Sequence, residues 1–254
     1  MDLGLRDRVY LVTGGTRGLG FATARALVDD GARVVVTGRD EKRATEAVAA
    51  LGGPEQALGI AADNGDSGTA ERLVAAALAR FERLDGALVS VGGPPPGAIT
   101  AIEDDQWRDA FESVFLGAVR MARATASALG TGGGSIGFVL SSSVRQPIPG
   151  LGVSNGLRPG LAMVAKTLAD ELGPRGIRVF GLLPGRIDTD RVRELDDLSG
   201  DAEATRAAHT GSIPLARYGT PEEFGRVAAF TLSPAASYLS GLMIPVDGGL
   251  ARSL

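Results

Sequence analysis

The chain has 254 residues, 44% of them apolar, which is enough to bury one substantial core, and α/β folds of this length are commonly undivided. Lys and Arg total 26 against 30 Asp and Glu, a formal net charge of -4 that leaves no basic surface for a nucleic-acid backbone. With no cysteine and one histidine, His209, disulfides, thiolate chemistry and metal sites needing two imidazoles are excluded, and no metal centre is expected.

In chain order, short runs rich in Val, Ile and Leu alternate with longer stretches of helical spacing. Arg8–Thr13 predicts a strand and Gly18–Asp29 a helix, followed by strand Arg33–Thr37 and helix Glu41–Leu51. Strand Ala57–Ala61 precedes helix Ser67–Phe81, and strand Gly86–Ser90 precedes helix Asp104–Leu129. Strand Ser135–Leu140, helix Val153–Leu172, strand Ile177–Leu182, helix Pro221–Thr231 and strand Leu242–Val246 complete the series. Continuous apolar strands separated by helices imply a parallel sheet covered on both faces. The expected fold class is therefore α/β, a Rossmann-type doubly wound seven-stranded sheet in a single domain over residues 1–254. No basic-then-apolar leader and no run of about 18 apolar residues occurs, so a cytoplasmic protein with no membrane partner is expected.

Three segments break the rhythm. Gly92–Gly97 reads GGPPPG, and Gln146–Pro149 reads QPIP; each is either a stiff pocket wall or simply a rigid turn. The long polar stretch Ile187–Leu215 predicts a flexible lid over about 187–215.

Val12-Thr13-Gly14-Gly15-Thr16-Arg17-Gly18-Leu19-Gly20 follows the first strand and opens the first helix. Its glycines permit a tight turn and close backbone approach, and the helix N-terminus offers free N–H groups and positive dipole to a pyrophosphate. The spacing resembles the TGxxxGxG loop of the short-chain dehydrogenase/reductase family, and the resemblance extends over nearly the whole chain. Asp63-Asn64 is similar to the family's adenine clamp, and Pro184-Gly185-Arg186-Ile187-Asp188-Thr189 to its PGxxxT carboxamide loop. Arg217–Glu223 and Val246-Asp247-Gly248-Gly249 match its closing pattern. The resemblance implies dinucleotide contacts from Gly14, Thr16, Arg17, Gly18, Leu19, Gly20, Arg39, Asp63, Asn64, Ser90, Gly92, Arg158, Pro184, Gly185, Ile187 and Thr189.

Charge points to NADP(H). NAD readers carry an acidic residue about 20 positions after the loop, and NADP readers an Arg. Where the family's NAD enzymes have Asp, this chain has Gly38, followed by Arg39, with Arg17 inside the loop itself. Two guanidiniums suit a 2′-phosphate. The alternatives are two solvated arginines, and Asp40 reaching the ribose one residue late in an NAD(H) site.

The family's chemistry implies a Ser that polarises the carbonyl, a Tyr that supplies the proton and a Lys four residues later. No YxxxK exists here: four residues after Tyr10, Tyr218 and Tyr238 stand Gly14, Glu222 and Leu242. Local alignment places Ser154 at the Tyr position, Arg158 at the Lys position and Ser141 at the Ser position, 13 residues before Ser154. Ser142 and Ser143 remain alternatives to Ser141. Val114 stands where the family's relay Asn would be, and Ser90-Val91-Gly92-Gly93 replaces its fourth-strand NNAG. The SNxxR pattern with GGPPPG resembles a divergent, 3-oxoacyl-carrier-protein reductase-like branch.

Tyr10 is expected in the core, and Tyr218 and Tyr238 packed beside the last helix. His209, Asp188 and Asp190 are weak substitutes for the missing acid, each otherwise a solvated side chain, and Glu112 belongs to a solvated face. Two functions follow. One is an NADP(H)-dependent oxidoreductase acting on a small carbonyl or alcohol substrate through a remodelled proton relay. The other is a catalytically impaired dinucleotide-binding protein, a sensor or oligomer partner. The resemblance also implies a homotetramer.

Overall fold

Strand β1 (Val9–Val12) is buried at every position, as a strand covered on both faces must be. Its residues alternate between two cores. Val9 and Leu11 join one cluster, and Tyr10 and Val12 the other. The computed structural model describes residues 1–198 and 200–253.

After β1 come α1 (Gly18–Asp29), β2 (Arg33–Gly38), α2 (Glu41–Ala50), β3 (Ala57–Ala61), α3 (Thr69–Phe81) and β4 (Gly86–Val89). Then follow α4 (Asp104–Ala110), a π-helical segment (Phe111–Leu116), α5 (Gly117–Leu129), β5 (Gly134–Val139), α6 (Gly152–Leu172) and β6 (Ile177–Pro184). The chain ends with α7 (Asp190–Asp197), α8 (Ala202–Ser212), α9 (Pro221–Leu232) and β7 (Met243–Val246). The seven strands are parallel throughout, in the order β3-β2-β1-β4-β5-β6-β7. The order reverses between β1 and β4, which opens a crevice at the carboxyl ends of those strands. Leu73, Met121 and Leu161 from α3, α5 and α6 seal one face of the sheet. Leu27 and Phe224 from α1 and α9 seal the other. Helices α1 and α9 meet backbone to backbone, since a Cβ at Gly225 would lie 2.4 Å from the Ala22 carbonyl oxygen.

Three sequence expectations are revised. The predicted helix Asp104–Leu129 is broken by the π-helical segment, centred near Val114. Residues 187–215 are not an irregular loop, because they contain α7 and α8. Local caps build both helices: Thr189 accepts from Val192 N and Asp201 from Ala204 N. Tyr238 does not pack; it is fully exposed.

Candidate active site

The glycine-rich loop is a backbone cradle. Gly14 and Gly18 adopt φ of +57° and +55°, where L side chains are strained. A Cβ at Gly14 would lie 2.6 Å from Ser90 O, and one at Gly20 2.3 Å from Gly14 O. Thr13 Oγ1 donates to Ser90 O at 2.8 Å and accepts from Ser90 N at 2.9 Å, tying the loop to the end of β4. Among the described residues no side chain caps the N-terminus of α1, which leaves its first-turn N–H groups without a side-chain acceptor beside the cradle. Leu19 packs against the α1/α9 core and anchors the turn.

Beside the cradle, Arg17 and Arg39 are exposed, and among the described residues neither side chain has a protein partner. A Cβ at Gly38 would lie 2.5 Å from Thr16 Oγ1, so a side chain there requires Thr16 to move. Asp40 is committed elsewhere: its carboxylate accepts from Arg43 N at 2.9 Å and caps α2. Asp63 accepts from Gly65 N at 2.8 Å, which fixes the turn that carries Asn64. Gly117 lets the start of α5 approach the Asn64 carbonyl. On the far side, Gly185 N donates to Val246 O, Asp188 N to Gly219 O, and Gly219 N to Arg186 O, so the Pro184–Thr189 loop is held between β7 and α9. Ile187 is buried there, and the Thr189 methyl closes over Gly18. Gly92 begins the GGPPPG loop, with open space beside its Cα.

At the end of β5, Ser141 accepts from Ser143 N at 3.0 Å and starts a short 3-10 turn, Ser142–Val144. Its own O–H has no protein acceptor among the described residues and remains partly exposed. The buried hydroxyls of Ser143 and Ser154 approach to 3.4 Å. Arg158 stands one turn further along α6, on the face that carries Ser154. It is 6% exposed, and its Nη1 donates to Val139 O at 2.7 Å. No carboxylate lies within ion-pair distance of it among the described residues. Burial, with the nearby charge of Arg191, lowers its guanidinium to about 10. Val114, which the sequence resemblance sets at the relay-Asn position, is buried in an apolar cluster with Val153 and Leu157.

The GGPPPG and QPIP loops form one wall. Gly97 N donates to Gly150 O at 2.7 Å and Gly152 N to Gly97 O at 3.0 Å. Asn155, beside Ser154, clamps that wall by accepting from Ile148 N at 3.0 Å and donating to Ile148 O at 2.9 Å. The cleft between these loops is lined by Ile99, Pro147, Ile148 and Asn155.

Apart from the exposed Tyr238, each residue weighed as a substitute acid has a partner of its own. Tyr10 is buried and raised by desolvation, and Tyr218 donates to Asp196 at 3.1 Å and is pushed up to about 12 by burial and that bond. Arg186 Nη2 donates to His209 Nε2 at 2.7 Å, and burial together with the Arg186 charge lowers this imidazole. Asp188 is held down by Arg206 and Arg193. Asp190 pairs with Arg193, and Glu112 with Arg120. Ser143, one of the two alternatives to Ser141, is the serine that faces Ser154, whereas Arg191, whose Nη2 donates to Pro94 O at 2.9 Å, had no sequence signal.

A family model described as enoyl-(acyl carrier protein) reductase matches residues 14–251. An uncharacterised oxidoreductase of Methylorubrum extorquens is 34% identical, over 97% of this chain and 98% of its own length. Human dehydrogenase/reductase SDR family member 4 is also 34% identical, over 98% of this chain and 90% of its own length. Among solved structures, L-sorbose reductase from Gluconobacter frateurii, complexed with NADPH and L-sorbose, superposes with a TM-score of 0.94 at 28% identity, over 100% of both chains.

Proposed function

The chain belongs to the short-chain dehydrogenase/reductase family, and on that premise we propose that it is an NADP(H)-dependent oxidoreductase interconverting a small carbonyl compound and its alcohol, with its proton relay rebuilt around Ser154 and Arg158. The observation that carries the coenzyme choice is the pair of guanidiniums, Arg17 and Arg39, unpartnered among the described residues, beside a Gly38 position where an acidic side chain would require Thr16 to move. The solved relative's complex with NADPH supports the same reading.

The coenzyme supplies the hydride that the carbonyl carbon receives, while the carbonyl oxygen takes a proton. Gly14, Gly18, Leu19, Gly20 and the first turn of α1 hold the pyrophosphate, and Thr16, Arg17 and Arg39 grip the 2′-phosphate. Asp63 and Asn64 flank the adenine, and Ser90 and Gly92 line the ribose. Pro184, Gly185, Ile187 and Thr189 position the carboxamide. Arg158 offers its remaining N–H groups to the ribose hydroxyls, as a lysine would. The free O–H of Ser141 polarises the substrate carbonyl, and Ser154, paired with Ser143, relays a proton from solvent. A serine hydroxyl is shorter than a phenol and much harder to ionise. Loss of a positioned general acid costs about 10²–10⁴ in rate, roughly 3–5 kcal/mol of barrier. Helices α7 and α8 serve as the lid over this site. Self-association as a homotetramer uses the face where Phe111 and Met163 stand 43% and 69% exposed, and light scattering tests it.

A second reading, coenzyme binding without turnover, is favoured by one observation: Tyr10 and Tyr218 are both committed away from Ser154. Following nicotinamide absorbance with ketones, aldehydes and enones separates the two. Slow turnover by the wild type, raised in Ser154→Tyr/Arg158→Lys, supports the enzyme. Turnover by that double variant but never by the parent supports the non-catalytic reading.

A further inference from the structure

The site holds more positive charge than its coenzyme can neutralise where the substrate would lie. Arg158 is buried, gives one N–H to Val139 O, and meets no carboxylate among the described residues. A ribose diol brings it acceptors but no negative charge. A buried guanidinium without a counter-charge is costly, and an apolar residue of similar volume would serve packing better.

The second cation comes from the lid. Arg191, on α7, is bound through Nη2 to Pro94 O, and its guanidinium lies against the Gly93 backbone, where a Cβ would stand 3.0 Å from Nε. Its one carboxylate neighbour among the described residues is Glu194, 3.7 Å away, 56% exposed and three residues on in the same helix. Such surface pairs hold little energy. Pro94 follows β4 and Val139 ends β5, and these strands are hydrogen-bonded neighbours. One guanidinium is thus held at the end of β5 and the other on the loop that leaves the neighbouring strand β4, and Arg158 feels Arg191 as a like charge. The lid carboxylates nearby are already occupied: Asp188 by Arg193 and Arg206, and Asp196 by Arg186.

We propose that the carbonyl substrate carries an anionic group, a carboxylate or a phosphate monoester close to the carbonyl carbon, received between Arg158 and Arg191, with Arg191 as the specificity-determining residue. This rests on the oxidoreductase reading above. It places the carbonyl oxygen at Ser141 and the anion on the β4 side, so lid closure and anion capture are one event. Arg191 belongs to the helix that closes and is already docked on the loop it closes against.

The test is calorimetric titration of the full chain, with and without NADPH, by anionic and neutral partners of one skeleton. The probes are pyruvate, acetoacetate and levulinate against their methyl esters, and dihydroxyacetone phosphate against dihydroxyacetone. At least one anion is expected to bind about tenfold or more tightly than its neutral partner. That preference should fall below about twofold in Arg191→Gln and return in part in Arg191→Lys, with NADPH affinity unchanged in both. Whether a carboxylate or the phosphate shows the preference identifies the group. Equal binding of every anion and its neutral partner, or a preference that survives Arg191→Gln, overturns the proposal. Failure of the coenzyme reading looks different: NADPH does not bind, while the anion preference is still measured without it.

Discussion

Arg158 Nη1 rests 2.7 Å from the Val139 carbonyl oxygen, so among the described residues a positive charge is held at the end of β5 by a neutral dipole and no carboxylate. Ser154 lies one turn earlier on the same helix, its hydroxyl 3.4 Å from that of Ser143. Together they bring two buried hydroxyls and an uncompensated cation to the sheet edge that faces the glycine-rich cradle.

Arg158 is expected to serve function at the expense of stability. Arg158→Met should leave the coenzyme-free protein as stable as the wild type or more so, by up to about 2 kcal/mol, because an unpaired buried charge is removed. The same change should abolish turnover and weaken NADPH binding, whereas Arg158→Lys should keep part of both. Urea denaturation checks the first point. A loss of more than about 1 kcal/mol would show that the guanidinium is a structural strut.

Asn155 is expected to act through the pocket wall. Its amide makes both bonds to Ile148, so Asn155→Ala should cost about 1–3 kcal/mol and loosen residues 146–149. KM should rise more than kcat falls, because the clamp shapes the cleft without touching the reacting atoms. Amide exchange of that loop, beside steady-state kinetics, tests the pair of effects.

Much of this was legible in the sequence because the signals were local. Strand runs such as Val34–Val36, the glycines at 14, 18 and 20, and the absence of any Tyr followed four residues later by Lys can be read within short windows. The contacts that could not be read are made across the fold. Ser143 meets Ser154 only after a 3-10 turn redirects the serine run, which is why spacing alone favoured Ser141. Arg191 reaches Pro94 across 97 residues. Helices α7 and α8 carry few large apolar residues, and their caps were the available sign. The π-helical segment at Phe111–Leu116 interrupts a stretch whose apolar spacing looks continuous.

Acid should loosen the lid. Burial and Arg186 lower His209 below the ordinary imidazole value near 6.5, so the fold favours its neutral form. Its contribution is fully present above about pH 6.5 and is lost as pH falls through the lowered folded value, when the unfolded chain binds the extra proton more readily. Asp196, which accepts from Arg186 and Tyr218, opposes this shift without reversing it. Amide exchange in residues 190–212 should therefore accelerate on acidification beyond its intrinsic pH trend. His209→Gln, which keeps an acceptor for Arg186 but does not titrate, should flatten the effect. An unchanged profile would separate His209 from lid stability.

Position 38 should resist a simple coenzyme switch. Gly38→Asp puts a Cβ into the space held by Thr16 Oγ1, so the single variant should lose NADPH affinity without gaining NADH affinity. Thr16→Ala/Gly38→Asp removes the obstruction and should bind NADH more tightly than either single variant. Titration of each protein with both coenzymes decides the point.

The most direct measurement is the ratio of NADPH to NADH dissociation constants for the wild type and for Arg17→Ala/Arg39→Ala, read by calorimetry at one fixed salt concentration. The wild type should favour NADPH by about tenfold or more, and the double variant should bring the two within about twofold by weakening NADPH alone. Equal affinities in the wild type, or no binding of either coenzyme, would contradict an NADP(H) site in this crevice.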